Sequence, residues 1–381
     1  MQVLTLNDLA IPRLSIIVPT YNESAALPGL LASLRAQRGL DFELVVVDGG
    51  SDDATPAMVE TFAHGAEFKV VLVRSLPGRG RQLNAGAEKA RGESLLFLHA
   101  DSCFLDTYAL ADGLFFLDHL INCQGDNAVA GHFALCFDHP ENEIPRGYAF
   151  YESKARLNRR GCIHGDQGFL VRRAFFETIG EFDTSLPFLE DERFADAVRE
   201  CGEWVLLPAE IQTSARRFET EGLFRRQLLN ALIMNAAAIG WANFLRQAPD
   251  LYRRQGDAGR LDLLPFFQRL KRLFKDMTWG ERQRTWYRSG TYVRNNGWQL
   301  LFAMDVWLGR RRNPSFRGEE TLVLDRLERW FDRCTDHPGG RLLATGLVWI
   351  WFHATLMVLA GRKRLMAILH RKERDDVTDL N

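Results

Sequence analysis

The chain has 381 residues, 46% hydrophobic and 25% charged, with a formal net charge of -1. That is long enough for one large domain or two ordinary ones, and the composition is that of a folded soluble protein rather than a disordered or fibrous one. The near-zero charge averages two unlike parts: up to Phe244 there are 22 Lys and Arg against 33 Asp and Glu, and from Leu245 onward 26 against 16, with seven of the nine Trp in the second part. An acidic body joined to a basic, Trp-rich tail implies two regions in different surroundings, and basic plus aromatic is what an anionic membrane surface attracts. The six cysteines show no paired spacing, so neither a disulfide frame nor a zinc site is indicated and buried reduced thiols of a cytosolic protein are expected. The first fourteen residues have no basic stretch followed by an apolar run, so no signal peptide is expected.

In chain order, Leu14 to Val18 is a short β-branched run closed by Pro19, and Asn22-Glu23-Ser24 starts a helix to about Gln37. Phe42 to Val47 is the next strand; it ends on Asp48, turns through Gly49-Gly50-Ser51, and Asp52 to Pro56 opens a second helix with an acidic first turn. Lys69 to Val73 is a third strand, and a polar turn from Pro77 to Arg81 leads into a helix through Ala90. Leu95 to Leu98 reads as a strand buried on both faces and runs into His99-Ala100-Asp101. Alternating strands and helices predict a parallel doubly wound α/β sheet. A carboxylate at the C-terminal end of a buried parallel strand lies at the rim where such sheets bind ligands, and suits Mg²⁺ or Mn²⁺ carrying a phosphate; the plainer role for Asp101 is to cap the next helix. Asp48, Asp101 and Glu23 then line one crevice. A dinucleotide site is argued against, because Pro19-Thr20-Tyr21-Asn22-Glu23 has no glycine where G-x-G-x-x-G brings a pyrophosphate onto the backbone.

Pro-Thr-Tyr-Asn-Glu at 19–23, Val-Asp-Gly-Gly-Ser-x-Asp-x-Thr at 47–55, Arg81-x-x-Asn84-x-Gly86 and Leu98-His99-Ala100-Asp101 resemble the successive nucleotide-sugar motifs of glycosyltransferase family 2, whose fold is GT-A. Gly165 to Arg173, Ile179 to Asp183 and Glu190 to Phe194 are similar to that family's acceptor half, and Thr213 to Phe218 to a closing segment of a bacterial subgroup. The resemblance covers roughly residues 14 to 245. It implies an inverting transfer from a nucleotide sugar, UDP-linked on family grounds, to an acceptor hydroxyl. Pro19, Tyr21, Glu23, Asp48 and Ser51 would hold the nucleoside; Asp48 has a competing role as a turn-former before Gly49, and Asp53 as a helix-start residue. Arg81, Asn84, Arg216 and Arg217 are expected toward the donor, the last two on its pyrophosphate. Asp101 would hold a divalent metal, Mn or Mg, with one carboxylate where the family's commoner motif has two; His99 suits Mn²⁺ better than Mg²⁺ and is otherwise expected on phosphate or ribose. Asp166 and Gln167 are expected to contact the acceptor, with Asp191 the general base steadied by Glu190; the competing role for both acids is to cap the helix that follows.

The tail, from about residue 246, carries no recognised motif and is read from its residues alone. Leu261 to Lys275 forms a basic amphipathic helix of the kind that lies in a headgroup layer. Leu300 to Arg312 is apolar until it ends in three arginines. Leu342 to Ala360 is 19 residues without charge, flanked by Arg341 and Arg362-Lys363-Arg364. Its length reaches that of a bilayer span, and burial against the catalytic domain or peripheral attachment are the alternatives. Nucleic acid is a weaker partner, because the aromatics cluster with aliphatics instead of interleaving with arginines. The sequence therefore predicts a GT-A domain over 1–245, a helical C-terminal region over 246–381, and a cytoplasmic enzyme whose tail docks either on that domain or peripherally on the inner face of the membrane. The competing expectation is an inactive transferase-like protein that binds a partner through its tail.

Overall fold

The computed structural model describes residues 11–138, 145–255, 259–318 and 320–378. The chain divides into two compact units, Met1–Ala215 and Arg216–Asn381. The first unit contains β1 Leu14–Thr20, α1 Leu27–Arg35, β2 Phe42–Asp48, α2 Thr55–His64, β3 Lys69–Arg74, α3 Arg79–Lys89, β4 Ser94–Phe97, β5 Ser102–Cys103, α4 Ala109–Gln124, β6 Val129–Asp138, α5 Arg146–Lys154, β7 Phe169–Arg172, α6 Arg173–Ile179, α7 Glu190–Cys201 and β8 Glu203–Ser214. The eight strands form one sheet in the order β3-β2-β1-β4-β7-β6-β8-β5. β1 to β4 run parallel, and β7 enters antiparallel to both β4 and β6. The expected mostly parallel α/β sheet is present; local pattern did not predict the antiparallel entry of β7 or the antiparallel pairing of β5 with β8.

β1 and β2 are buried at every position, which fits their continuous apolar runs and requires cover on both faces. On one face Ile17, Val45, Val47, Leu95 and Phe97 pack with Leu83 and Ala87 of α3. That approach depends on Gly86, where a Cβ would lie 2.4 Å from Ile17 Cγ2. Pro19, expected to close the first strand, lies inside it; the pairing of β1 with β4 has already stopped at Ile17, so no partner is denied an N–H.

Two helices begin later than local signals predict. α1 starts at Leu27, because Asn22 takes a left-handed φ of 55° and the N–H groups of Asn22, Glu23 and Ser24 bond to Ser51 Oγ, Thr55 Oγ1 and Asp53 Oδ2. α2 starts at Thr55 with no acid in its first turn; Asp53 stands before the helix and accepts the Thr55 N–H. Asp101 caps no helix, since β5 follows it and α4 begins only at Ala109. All six cysteines are free; Cys136 and Cys162 are buried, whereas Cys123, Cys201 and Cys334 are exposed, so burial holds for only part of the set.

The second unit is helical: α8 Arg216–Glu221, α9 Leu223–Ala238, α10 Ala242–Arg253, α11 Leu264–Asp276, α12 Trp279–Asn295, α13 Trp298–Arg312, α14 Leu322–Thr335 and α15 Pro338–Thr378. Within it α9 packs against α10 and α12, and α10 against α11. α11 is the amphipathic helix expected in a headgroup layer, and its apolar side chains Leu264, Phe266, Phe267, Leu270, Leu273 and Phe274 are instead buried within the unit. Phe267 stacks on Phe352 and Phe274 on Trp286, at ring separations of 5.3 and 4.1 Å. A periodic apolar face reports that something covers it, and here the cover is protein. One helix among the described residues is long and apolar enough to cross a membrane, over Pro338–Leu365.

Candidate active site

The C-terminal ends of β1, β2 and β4 form one edge of the first unit, and the loops above them are tied together. Asn22 Oδ1 accepts the Asp52 N–H at 3.0 Å, complementing the Asn22 N–H to Ser51 Oγ bond of 2.9 Å. Asp48, almost fully buried, accepts the N–H groups of Gly50 and Ser51 at 3.1 and 3.2 Å, so the turn-forming role weighed for it is realised. Gln82 donates to both Thr20 O and Val47 O at 2.8 Å, clamping β1 to β2. Asn84 spends both ends of its amide on the backbone of Phe182, each at 2.9 Å, and holds the acceptor-side loop rather than facing open space. Hydrogen bonds from Ser24 and Thr55 hold the Asp53 carboxyl well below its ordinary range. Pro19 is buried, Tyr21 is exposed, and Glu23 is half-buried at the same strand end.

The next loops bring the second group of candidates against β4. α7 opens on Glu190, Asp191 and Glu192 after Leu189, which takes a left-handed φ of 74°. The three acids are therefore the first-turn residues that the competing reading expected, and an acidic first turn complements the helix dipole. Their side chains are nonetheless committed beyond α7. Asp191 Oδ2 accepts the Gly165 N–H at 3.0 Å, and Glu190 Oε1 accepts from Arg79 Nη1 at 3.2 Å. His164 Nδ1 pairs with Glu192 Oε1. Gly165 is pinched between His99 and Asp191: a Cβ there would lie 2.9 Å from His99 Nε2 and 3.3 Å from Asp191 Oδ2. Arg79, His99, Gly165 and Asp191 line one small cavity with Phe97, Phe169 and Phe182 of the aromatic core behind it.

The charges in this cluster are unevenly resolved. Burial works against the Asp191 charge, yet His164, Arg79 and the Gly165 N–H outweigh it and hold the carboxyl below its ordinary range. Burial, reinforced by the Asp191 charge, pushes Glu190 up despite Arg79. Asp166 rises to about 6, through burial and through Asp191 and Asp101. His164 rises to about 9, because Glu192 and Asp166 overcome the cost of its burial. Gln167 is fully buried and donates to Cys162 O at 2.8 Å, a committed position for an expected acceptor contact. Arg81 is exposed on α3, whereas Arg79 two residues earlier makes the ion pair. Arg216 and Arg217 open α8 in the second unit, both exposed.

Arg79, His164 and Glu192 are the residues that motif reading did not assign. Their signals were present as a second arginine beside Gly80, a histidine immediately before Gly165-Asp166-Gln167 and a third acid after Glu190-Asp191. Only the fold turns these toward one another.

The crevice passes one test for a divalent cation. Asp166 Oδ1 is buried with no hydrogen-bond partner, and Asp101 and Asp191 act on the same carboxyl. Among the described residues no group of three His, Cys, Asp or Glu forms a cage by itself.

Residues 15–179 match Glycosyl transferase family 2. A PGL/p-HBAD biosynthesis glycosyltransferase of Mycobacterium bovis is 32% identical over 188 residues, which cover 49% of this chain and 69% of that protein. Among solved structures, Staphylococcus aureus TarS 1–349 in complex with UDP covers 84% of this chain and 91% of its own, at 18% identity and a TM-score of 0.44. Mannosyltransferase PcManGT from Pyrobaculum calidifontis, in complex with GDP-Man and Mn²⁺, covers 93% and 87%, at 19% and 0.45. The chain belongs to glycosyl transferase family 2, and it is a glycosyltransferase with a mostly parallel α/β sheet and a helical C-terminal region. The expectation of an inactive binding protein gives way to this membership.

Proposed function

We propose that the enzyme transfers a sugar, with inversion, from a nucleotide sugar to a hydroxyl of a membrane-delivered acceptor, using Asp191 as general base. The observation that carries the assignment is the state of Asp191: half-buried, fixed by the Gly165 N–H, and held below its ordinary carboxylate range by His164 and Arg79. Asp191 takes the acceptor proton as the acceptor oxygen bonds to the sugar's C1; the C1–O bond to the diphosphate breaks, and the nucleoside diphosphate leaves with that electron pair. Glu190, held by Arg79, steadies the base. Asp166 and Gln167 orient the acceptor. Pro19, Tyr21, Glu23, Asp48 and Ser51 hold the nucleoside, with Asn84 acting through the loop it anchors. Arg81, Arg216 and Arg217 supply positive charge to the diphosphate.

Asp101, with His99 beside it, would hold Mn²⁺ or Mg²⁺ together with diphosphate oxygens, and a bound ion would neutralise the charge of the leaving group. UDP is the proposed carrier on family grounds. The TarS and PcManGT complexes carry different bases, so both nucleotides belong in the test. A transferase domain over 1–245 and a C-terminal region that meets an anionic membrane surface from the cytoplasmic side complete the reading. The basic, Trp-rich composition after Leu245 supports it.

Calorimetric titration with UDP and with GDP, each with and without Mn²⁺, tests the donor half on wild type and Asp101→Ala. Metal-dependent binding of one nucleotide that the variant loses is the expected result. Binding of neither nucleotide under any condition would sink the donor site.

A further inference from the structure

The 19 residues of α15 from Leu342 to Ala360 contain no charge, and Leu343, Leu347, Ile350, Met357 and Val358 are each more than half exposed. At about 100° per residue these five fall within an arc of about 100° on one side of the helix. Trp351 stands at one edge of the arc, whereas Trp349 lies nearer the opposite side, and both are partly exposed. The opposite side is the docked one. Phe352 and Leu356 are buried, Phe352 lies 5.5 Å from Trp286 of α12 between ring centres, and Gly290 of α12 meets Thr345 so closely that a Cβ would stand 2.3 Å from its Oγ1. Thr345 faces Gly290 and Phe352 faces Trp286, so the two helices run antiparallel.

That pairing decides how the apolar face meets lipid. Alongside the Leu343–Val358 face, α12 carries Glu281, Arg282, Arg284 and Arg288. Were α15 to cross a bilayer, its partner would bring these charges into hydrocarbon, each at a cost of about 2.5–3.5 kcal/mol. Lying lengthwise costs nothing of the kind: the apolar arc enters the acyl boundary, Trp351 at its edge reaches the headgroup level, and α12 stays on the far side. The charges at the end of the face match an anionic partner. Arg362, Lys363 and Arg364 are exposed, and 338–365 contains no acidic residue.

We propose that α15 docks lengthwise on an anionic lipid surface through the Leu343–Val358 face and the Arg362–Arg364 cluster, without spanning the bilayer. The inference deepens the membrane-surface reading above and is independent of the sugar chemistry, because vesicle binding needs no donor.

The full-length protein is mixed with vesicles of phosphatidylcholine alone and of phosphatidylcholine with phosphatidylglycerol. Binding to the anionic vesicles is expected to be roughly 100-fold tighter, about a factor of five per cation, and to weaken as salt is added. Neutralising the cluster (Arg362→Gln, Lys363→Gln, Arg364→Gln) erases that preference. Leu347→Glu with Ile350→Glu abolishes binding to both vesicle types, while an unchanged unfolding temperature shows that the variant is folded. Bound wild type is released by an alkaline carbonate wash. Three outcomes overturn the proposal: retention through that wash, which makes α15 a span; indifference of vesicle binding to the Glu variant; or no vesicle binding, with sedimentation showing a dimer that the Glu variant dissociates, which makes the occupant a second copy. Failure of sugar transfer with vesicle binding intact would leave this proposal standing and overturn only the catalytic one.

Discussion

The two halves of the strand-end crevice are built on opposite principles. On the side of Asn22, Asp48, Ser51 and Asp53, polar groups answer one another across two loops, so the backbone there is preorganised before any ligand arrives. On the side of Asp166, Glu190 and Asp191, charges are gathered faster than they are paired: one carboxylate is held down, two are pushed up, and Asp166 keeps an oxygen without a partner. Satisfied networks confer shape, and unsatisfied charge confers reactivity. Under the proposed function the satisfied side would bind the donor and the charged side would move the proton.

The comparison breaks first at Asp191. Asp191→Asn is expected to lower kcat by about 10³-fold while nucleotide affinity stays within a factor of two, read by product formation and calorimetry. An equal loss of nucleotide affinity would mean that the halves are not separable.

Gly165→Ala comes next. The added methyl must displace His99 or Asp191, and kcat is expected to fall roughly 10- to 100-fold with a near-normal unfolding temperature. Asn84→Ala probes a residue whose amide serves only backbone. A stability loss of about 2–3 kcal/mol in urea unfolding, with kcat reduced far less, is expected because the Phe182 N–H and C=O lose their partners.

The smallest effect is the pH dependence at His164. Its folded pKa of about 9 lies above the ordinary 6.5, so the pair with Glu192 stabilises fully below about pH 6.5 and is lost as pH rises through about 9. Unfolding temperatures of wild type and His164→Gln, measured from pH 6 to 10, should differ at the acid end and converge at the alkaline end. A constant difference would show that the pair does not titrate.

Much of this protein was legible in one dimension. The buried runs of β1 and β2, the acids at strand ends, the order of motifs and the acidic and basic halves are properties of local pattern, because strand burial and charge are set residue by residue. What local pattern leaves open is which of two similar groups meets a distant partner. Arg79 and Arg81 flank one glycine, and helix phase sends the first to Glu190 and leaves the second exposed. Asn84 belongs to a donor-type motif, and the packing of α3 turns it to Phe182. The tail states the rule most clearly. Both α11 and α15 carry apolar faces, and the basic periodicity around α11 marks it as the lipid-facing candidate; tertiary packing buries that helix in protein and leaves the face of α15 open. Sequence determines that a face is apolar, through the spacing of its side chains along the helix. Only the assembled fold determines what covers it, since cover depends on elements far away in the chain.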